Sequence, residues 1–381
     1  MLLDLKLVGS KLAGYRNQFQ ATREEVAART GIAASRLADI EAGDTEPTGD
    51  EILVLADFYK CDYKFFISHE RLAPYEQTEM LFRSISEELT RDDRWAVQEL
   101  LFLCECEEYL QHELLGQVSR PFTFAKRGGH FKTHGEEAAA SLRRHLGYEA
   151  DEVPNVFVDI RRIGFHVFRR KLQSSEISGL YVRHPVAGQC VLVNYREDVY
   201  RQRFTAAHET GHAILDAEKD FVVSYTRRGK RGLSEIRANT FASHFLIPPS
   251  LLERIPNPEE LTQTRLANLC QQLKVSPSAL LIALKEAGVL SEEAAATLVE
   301  TRLPREAKTD PELPPDLTPL QRTRRGEMLR RGLSSYYVDL CFEAYERGEV
   351  SAGRVAEMLL MDQLELADVA ALFGRRLHYA E

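Results

Sequence analysis

The segment of this sequence with the clearest capacity for chemistry is His208-Glu209-Thr210-Gly211-His212. On a helix, residues four apart share a face, so both imidazoles reach one cation while Glu209 points beside it toward a bound water. A zinc ion lowers the pKa of such a water toward neutrality, and a carboxylate at this position takes its proton and later delivers it to a leaving amine. The five residues sit in a strong helical pattern over 204–215, whose small residues let another element approach closely.

Catalytic zinc takes three protein ligands and keeps one position open, so a third ligand must come from elsewhere. Two carboxylates are candidates. Asp216 lies four residues beyond His212 on the same face, but its Cα would be about 6 Å further along the axis, which suits orienting His212 better than reaching the ion. Glu235 opens the next helical run, Ser234-Glu235-Ile-Arg-Ala238-Asn239-Thr-Phe241-Ala242, after a loop long enough to set that run antiparallel to the first. Glu235 is the expected third ligand; the alternative is a carboxylate facing the dipole at a helix N-terminus.

The elements around these helices read as follows. Helical patterns cover 136–146 and a stretch opened by Val153-Pro154 and closed at Gly164. Three short β patterns come next, at 165–168, 179–182 and 190–194, the last two separated by a turn at 185–188, which implies a small antiparallel sheet. Helices resume at 200–215 and 234–246, the second stopped by Pro248-Pro249, and a further helical pair covers 262–274 and 277–287. The turn around Val275-Ser276-Pro277 has a helix-turn-helix cadence but no basic residues to spare, so it reads as support for the core.

Arg203-Phe204-Thr205-Ala206-Ala207-His208-Glu209-Thr210-Gly211-His212, followed by Glu235-x-x-Ala238-Asn239-x-Phe241-Ala242-x-x-x-Leu246-x-Pro248 and preceded by a strand ending in Val193-Asn194, resembles the ImmA/IrrE metallopeptidases over about residues 130–290. The resemblance implies that His208, His212 and Glu235 bind one Zn²⁺ per chain and that Glu209 is the general base or acid. It also implies a protein substrate, a repressor or antitoxin-like regulator, in a mobile-element, stress or phage-defence setting. Two positions depart from the family pattern. Thr210 replaces the usual Leu, a packing change, and His244 stands where many members carry Glu, leaving it either an extra polar group behind the site or a histidine on the helix surface.

The N-terminal region is a compact all-helical unit, four short helical patterns over 5–67. Thr22-Arg23-Glu24-Glu25 opens one helix with a cap and acids in its first turn, and Gly31 turns the chain into the next, over 33–42. With Ile40-Glu41-x-Gly43 and Pro47 following, the unit resembles the lambda-repressor-like XRE helix-turn-helix. That resemblance places the recognition helix near Ala33, with Ser35 and Arg36 facing DNA and Arg23 near a phosphate. Charge opposes this. Residues 1–70 hold 8 Lys and Arg against 12 Asp and Glu, and the whole chain carries a net charge of -9, so DNA binding would need a local surface of matched geometry. The alternative is a domain kept for dimerisation or for docking a protein partner.

The chain of 381 residues is 44% hydrophobic and 28% charged, in the globular range, with no apolar run near the roughly 18 residues that span a bilayer. Its first residues lack the features of a signal peptide, so a cytoplasmic protein is expected, with its six scattered cysteines reduced and used for packing. The basic segment Arg227-Arg228-Gly-Lys230-Arg231 reads first as a solvated loop and second as a gate on the cleft.

The expected fold is mostly α, with a small antiparallel β-sheet (α+β) in the peptidase domain and all-α modules at either end. The expected domains are a helix-turn-helix at 1–70, a helical connector and candidate dimerising layer at 71–127, the zinc peptidase at 128–300, a linker rich in Pro and charge at 301–319, and a helical module at 320–381. Three functions remain open: a zinc endopeptidase whose helix-turn-helix binds operator DNA, a regulator whose zinc domain senses or scaffolds without proteolysis, and a peptidase whose helix-turn-helix docks a protein substrate. A homodimer is expected, with no membrane partner.

Overall fold

The structure is a computed structural model that describes residues 3–68, 81, 89–116, 121–226 and 232–377. The N-terminal unit comprises α1 (Leu5–Gln18), α2 (Arg23–Thr30), α3 (Ala34–Ala42), α4 (Gly49–Tyr59) and α5 (Tyr63–Ile67). The helical pattern over 5–67 thus resolves into five helices where the sequence suggested four, because α5 is a single short turn capped by Asp62. Capping boxes at Thr22 with Glu25 and Thr48 with Glu51 fix the starts of α2 and α4, and Gly31, at φ 75°, makes the left-handed turn between α2 and α3. Tyr15, Phe19, Val26, Leu37, Ile40, Leu55, Tyr59 and Phe66 fill the core between them.

The long helix α6 (Arg91–Leu115) joins this unit to the rest. Its first turns seal the helix-turn-helix core: Trp95 stacks on Phe19 with ring centroids 3.9 Å apart, and Gln98 donates a hydrogen bond to the carbonyl of Lys60 at 2.9 Å. Buried Asp93 accepts from the backbone N–H groups of Gln173 and Ser174 at 2.6 and 3.1 Å, tying the same turn to the sheet domain.

That domain continues with α7 (Phe131–Leu146), α8 (Val156–Arg162), β1 (His166–Arg170), β2 (Ile177–His184), β3 (Gly188–Asn194), α9 (Val199–Leu215), β4 (Phe221–Tyr225) and α10 (Leu233–Leu246). After these come α11 (Pro249–Leu252), α12 (Gln263–Leu273), α13 (Pro277–Glu286) and α14 (Glu292–Leu298), then α15 (Pro319–Arg330), α16 (Ser335–Glu346), α17 (Ala352–Met358) and α18 (Gln363–Leu372). The fold class is the expected one, mostly α with one small sheet, but the sheet is mixed rather than antiparallel. It has four strands in the order β1-β3-β2-β4, with β1 parallel to β3 and the other pairings antiparallel. The β2–β3 hairpin leaves the outer edge of β3 free, and β1 fills it; the short connection at 171–176 reverses the chain between β1 and β2, so β1 runs antiparallel to β2 and parallel to β3. The fourth strand, β4, is half-buried and lacks the strict alternation that would have marked it in the sequence.

Both faces of the sheet are covered. Val167, Tyr181, Val191 and Val193 pack with α7 to α10 and the helices as far as α14, whereas Phe168, Leu180, Val182, Cys190 and Leu192 pack with α6 and the C-terminal helices. The apolar stripe of the connector is therefore largely buried within its own chain. The charged segment around 310 is pinned as well: Glu312 pairs with Arg161 at 2.8 Å and with Arg169 at 2.9 Å, Asp310 pairs with Arg169 at 2.8 Å, and Lys308 pairs with Asp198 at 2.7 Å. No helix among the described residues is long and apolar enough to cross a membrane.

Candidate metal centre

Helix α9 is set firmly before it does anything chemical. Asp198 caps its start by accepting from the N–H of Tyr200, and the guanidinium of Arg203, fully buried, donates to the carbonyls of Val153, Pro154 and Lys274 at 2.7, 3.2 and 3.1 Å. Burial lowers the Arg203 pKa to about 10, still protonated at neutral pH. Helix α10 crosses α9 and is held close by α7, whose Gly135 lets the two backbones meet: a Cβ there would lie 2.6 Å from the carbonyl oxygen of Arg237 and 2.9 Å from the nitrogen of Phe241.

This packing brings His208, His212 and Glu235 together. Their ligand atoms lie within 4.8 Å of one another, and they are the one such group among the described residues that could hold a metal ion. The separations are 3.1 Å between the two Nε2 atoms, 3.4 Å from His208 Nε2 to Glu235 and 3.2 Å from His212 Nε2 to Glu235. Zinc–ligand bonds of about 2.0–2.1 Å in tetrahedral geometry require ligand atoms roughly 3.3 Å apart, a spacing the two Nε2 atoms meet with each other and each with a different oxygen of Glu235. Burial pushes the Glu235 carboxyl up, but hydrogen bonds and charge from His208 and His212 outweigh it and hold the group well below its ordinary value.

Each imidazole is held from behind. His212 Nδ1 lies 2.8 Å from an oxygen of Asp216, whose other oxygen pairs with Arg237. Asp216 thus meets the His212 ring at Nδ1, and among the described residues it makes no contact at the Nε2 side. Burial opposes ionisation of Asp216, and His212, Arg237 and Lys219 together outweigh that and lower its pKa. His208 Nδ1 lies 3.2 Å from Asn239 Oδ1. Sequence reading did not single out Asn239 for this; its spacing of four from Glu235, placing both on one face of α10, was the available signal.

Glu209 is fully buried, and among the described residues neither carboxylate oxygen has a hydrogen-bond partner of normal geometry, though the Ser224 hydroxyl stands close enough to act on it. Burial raises its pKa, partly opposed by the charges of His208 and His212 and by the hydroxyl of Ser224 on β4. An unpaired buried carboxylate is expensive unless something outside the polypeptide uses it, and a cation with its water beside His208 and His212 meets that need. The residues present therefore fit a zinc ion. His244 is not brought here. It lies two and a half turns along α10 from Glu235, the charges acting on it are Glu136 and Glu286, and it shares no hydrogen bond or ion pair with the cluster among the described residues. The helix turns this side chain toward α7 and α13 and away from α9.

Residues 160–285 match the model of the IrrE N-terminal-like domain. This stretch is IrrE-like. Residues 12–66 match the helix-turn-helix family, so the IrrE-like domain is fused to a domain of a DNA-binding class. The radiation response metalloprotease IrrE of Deinococcus radiodurans is 33% identical over 100 residues, covering 25% of this chain and 30% of that protein. The chain thus matches under a third of the length of that relative.

The expected DNA contacts fare unevenly in the fused arrangement. Ser35 is exposed at the start of α3. Arg36 makes a two-pronged contact with Glu51 at 3.0 and 2.9 Å, and Arg23 bonds Glu41 at 2.8 Å, a carboxylate it shares with Arg16. Both arginines therefore commit part of their donors inside the domain, and both side chains stay partly exposed. The basic segment 227–231 ahead of α10 lies outside the described residues.

Proposed function

We propose that this chain is a zinc-dependent endopeptidase coupled to transcriptional control, cutting a regulatory protein. The observation that carries the reading is Glu209, a fully buried carboxylate with no hydrogen-bond partner of normal geometry among the described residues, one residue from an imidazole whose Nε2 stands at tetrahedral spacing from two further ligand atoms. His208, His212 and Glu235 would hold the zinc, which when bound supplies a water of lowered pKa and polarises a carbonyl. Glu209, kept dry and with its pKa raised, is suited to receive a proton and return it to the leaving nitrogen. Asp216 and Asn239 fix the two imidazoles, and Arg237 fixes Asp216. A zinc domain that only sensed or scaffolded would have no use for a buried acid at position 209. The name of the Deinococcus relative, a radiation response metalloprotease, motivates a stress setting.

The test is metal content of the native protein and three variants. About one zinc per chain is expected, lost in His208→Ala and Glu235→Ala and kept in Glu209→Gln, with peptide cleavage falling by about 10²–10⁴-fold in the last. A wild-type protein that holds no zinc when zinc is supplied would refute the reading.

One observation favours docking of a protein substrate by the helix-turn-helix over operator binding: Arg23 and Arg36 are already paired with Glu41 and Glu51. Affinity for a duplex library that is weak and shows a shallow salt slope would support docking; a sequence-selective complex with a steep slope would support the operator reading.

A further inference from the structure

Within about one turn helix α10 carries three polar groups whose side chains reach groups of α9 or its end: Glu235, Asn239 on the same face, and Arg237 from the side of α7. Only the first touches the ligand cluster at the Nε2 side. Arg237, which is 5% exposed, reaches Asp216 and through it His212, whereas Asn239 reaches His208 directly. The two imidazoles are thus held by different chemistry. Behind His212 stands a carboxylate; behind His208 stands a neutral amide.

We infer that Asn239 is a positioning residue of the metal centre, holding the proton of His208 on Nδ1 so that the Nε2 lone pair faces the point shared with His212 Nε2 and Glu235. This rests on the proposed zinc site. The geometry carries it. With Oδ1 accepting at 3.2 Å, Nδ1 is the donor, which leaves Nε2 unprotonated in a neutral ring. His208 Nε2 then presents its lone pair 3.1 Å from His212 Nε2, on the side where Glu235 also stands. A freely rotating His208 ring would have to be ordered on binding, and its wrong tautomer would have to be reversed. Partners behind metal-bound histidines are worth about 10–100-fold in metal affinity. Helix α10 therefore supplies a ligand, the partner of one histidine and the anchor of the other histidine's partner, so the centre is complete only when α10 is docked.

The experiment uses the full chain with Asn239→Leu, which keeps the volume and removes the acceptor, and Asn239→Asp, which restores an acceptor oxygen. Zinc affinity is read by competition with a chromogenic chelator, and the melting of each metal-free protein is read beside it. The expected result is zinc binding at least about tenfold weaker in Asn239→Leu, recovery to within about threefold in Asn239→Asp, and metal-free melting alike in all three. Wild-type affinity in Asn239→Leu would overturn the inference while leaving the zinc site standing. Equal loss in both variants with lowered metal-free melting would overturn it in favour of a packing role. A wild-type chain that binds no zinc would overturn it together with the site itself.

Discussion

Histidines serve two different ends in this chain. His208 and His212 are partnered at Nδ1 and present Nε2 to a common point, the arrangement of ligands. His166, on the opposite face of the sheet, is buried with Glu107 and Glu108 each 3.2 Å from a ring nitrogen, the arrangement of an ion pair. Burial alone would lower its pKa, but hydrogen bonds and charge from those carboxylates push it up to about 10. An unfolded histidine titrates near 6.5, so the stability from this pair is fully present below about pH 6.5 and is lost as pH rises toward 10. Chemical denaturation at about pH 6 and about pH 9 should therefore show a fall in stability that is smaller in His166→Gln. An unchanged slope in the variant would mean that the pair does not persist in solution. Of the residues with site roles, the pair on α9 was legible because four-residue spacing within one helix needs no tertiary information. Asn239 and Arg237 were not singled out, since their partners lie on another helix.

Among the elements, α7 decides how well the centre is assembled. Its Gly135 faces the backbone of α10 at Arg237 and Phe241, where an added methyl has no flexible side chain to displace. Gly135→Ala should gain a little in helix propensity and lose more to overpacking, a net cost of about 1–3 kcal/mol in denaturant titrations. The same displacement should weaken zinc retention, because α10 carries Glu235, Arg237 and Asn239 together. Unaltered stability and metal content would show that the two helices can separate without consequence. His244 illustrates the converse. Its sequence position left open a role behind the site, but the side of α10 it occupies faces Glu136 and Glu286, and which face meets α9 is settled by packing.

At the scale of the whole molecule, the C-terminal helices and the connector share one core on the back of the sheet. The segment around 310 is keyed into the peptidase domain through Arg161 and Arg169, both buried. Burial opposes ionisation of Glu312, and the two arginines outweigh it and hold its pKa down. Removing that carboxylate leaves both guanidiniums short of a buried partner, so Glu312→Ala should destabilise the protein by about 3–5 kcal/mol. A loss below about 1 kcal/mol, as for a solvated linker residue, would refute this. The helix-turn-helix is joined to the same body through Trp95 and Asp93, so a partner bound to it acts on the helix that backs the sheet.

The sequence by itself determined what depends on neighbours within a few residues: the helix carrying His208, Glu209 and His212, the capped start of α2, the β2–β3 hairpin and the overall mostly helical class. Order and spacing extended this to Glu235. Tertiary structure decided the rest. It put β1 on the free edge of β3, beyond the hairpin, where the reversal into β2 makes the pair parallel, and it turned an acidic, proline-rich stretch into a buried ion-pair seam because its arginine partners lie about 140–150 residues earlier in the chain. It also occupied Arg23 and Arg36 with Glu41 and Glu51. Charges in a sequence show what a segment would do in water; the partner each one finds depends on where the rest of the chain is packed.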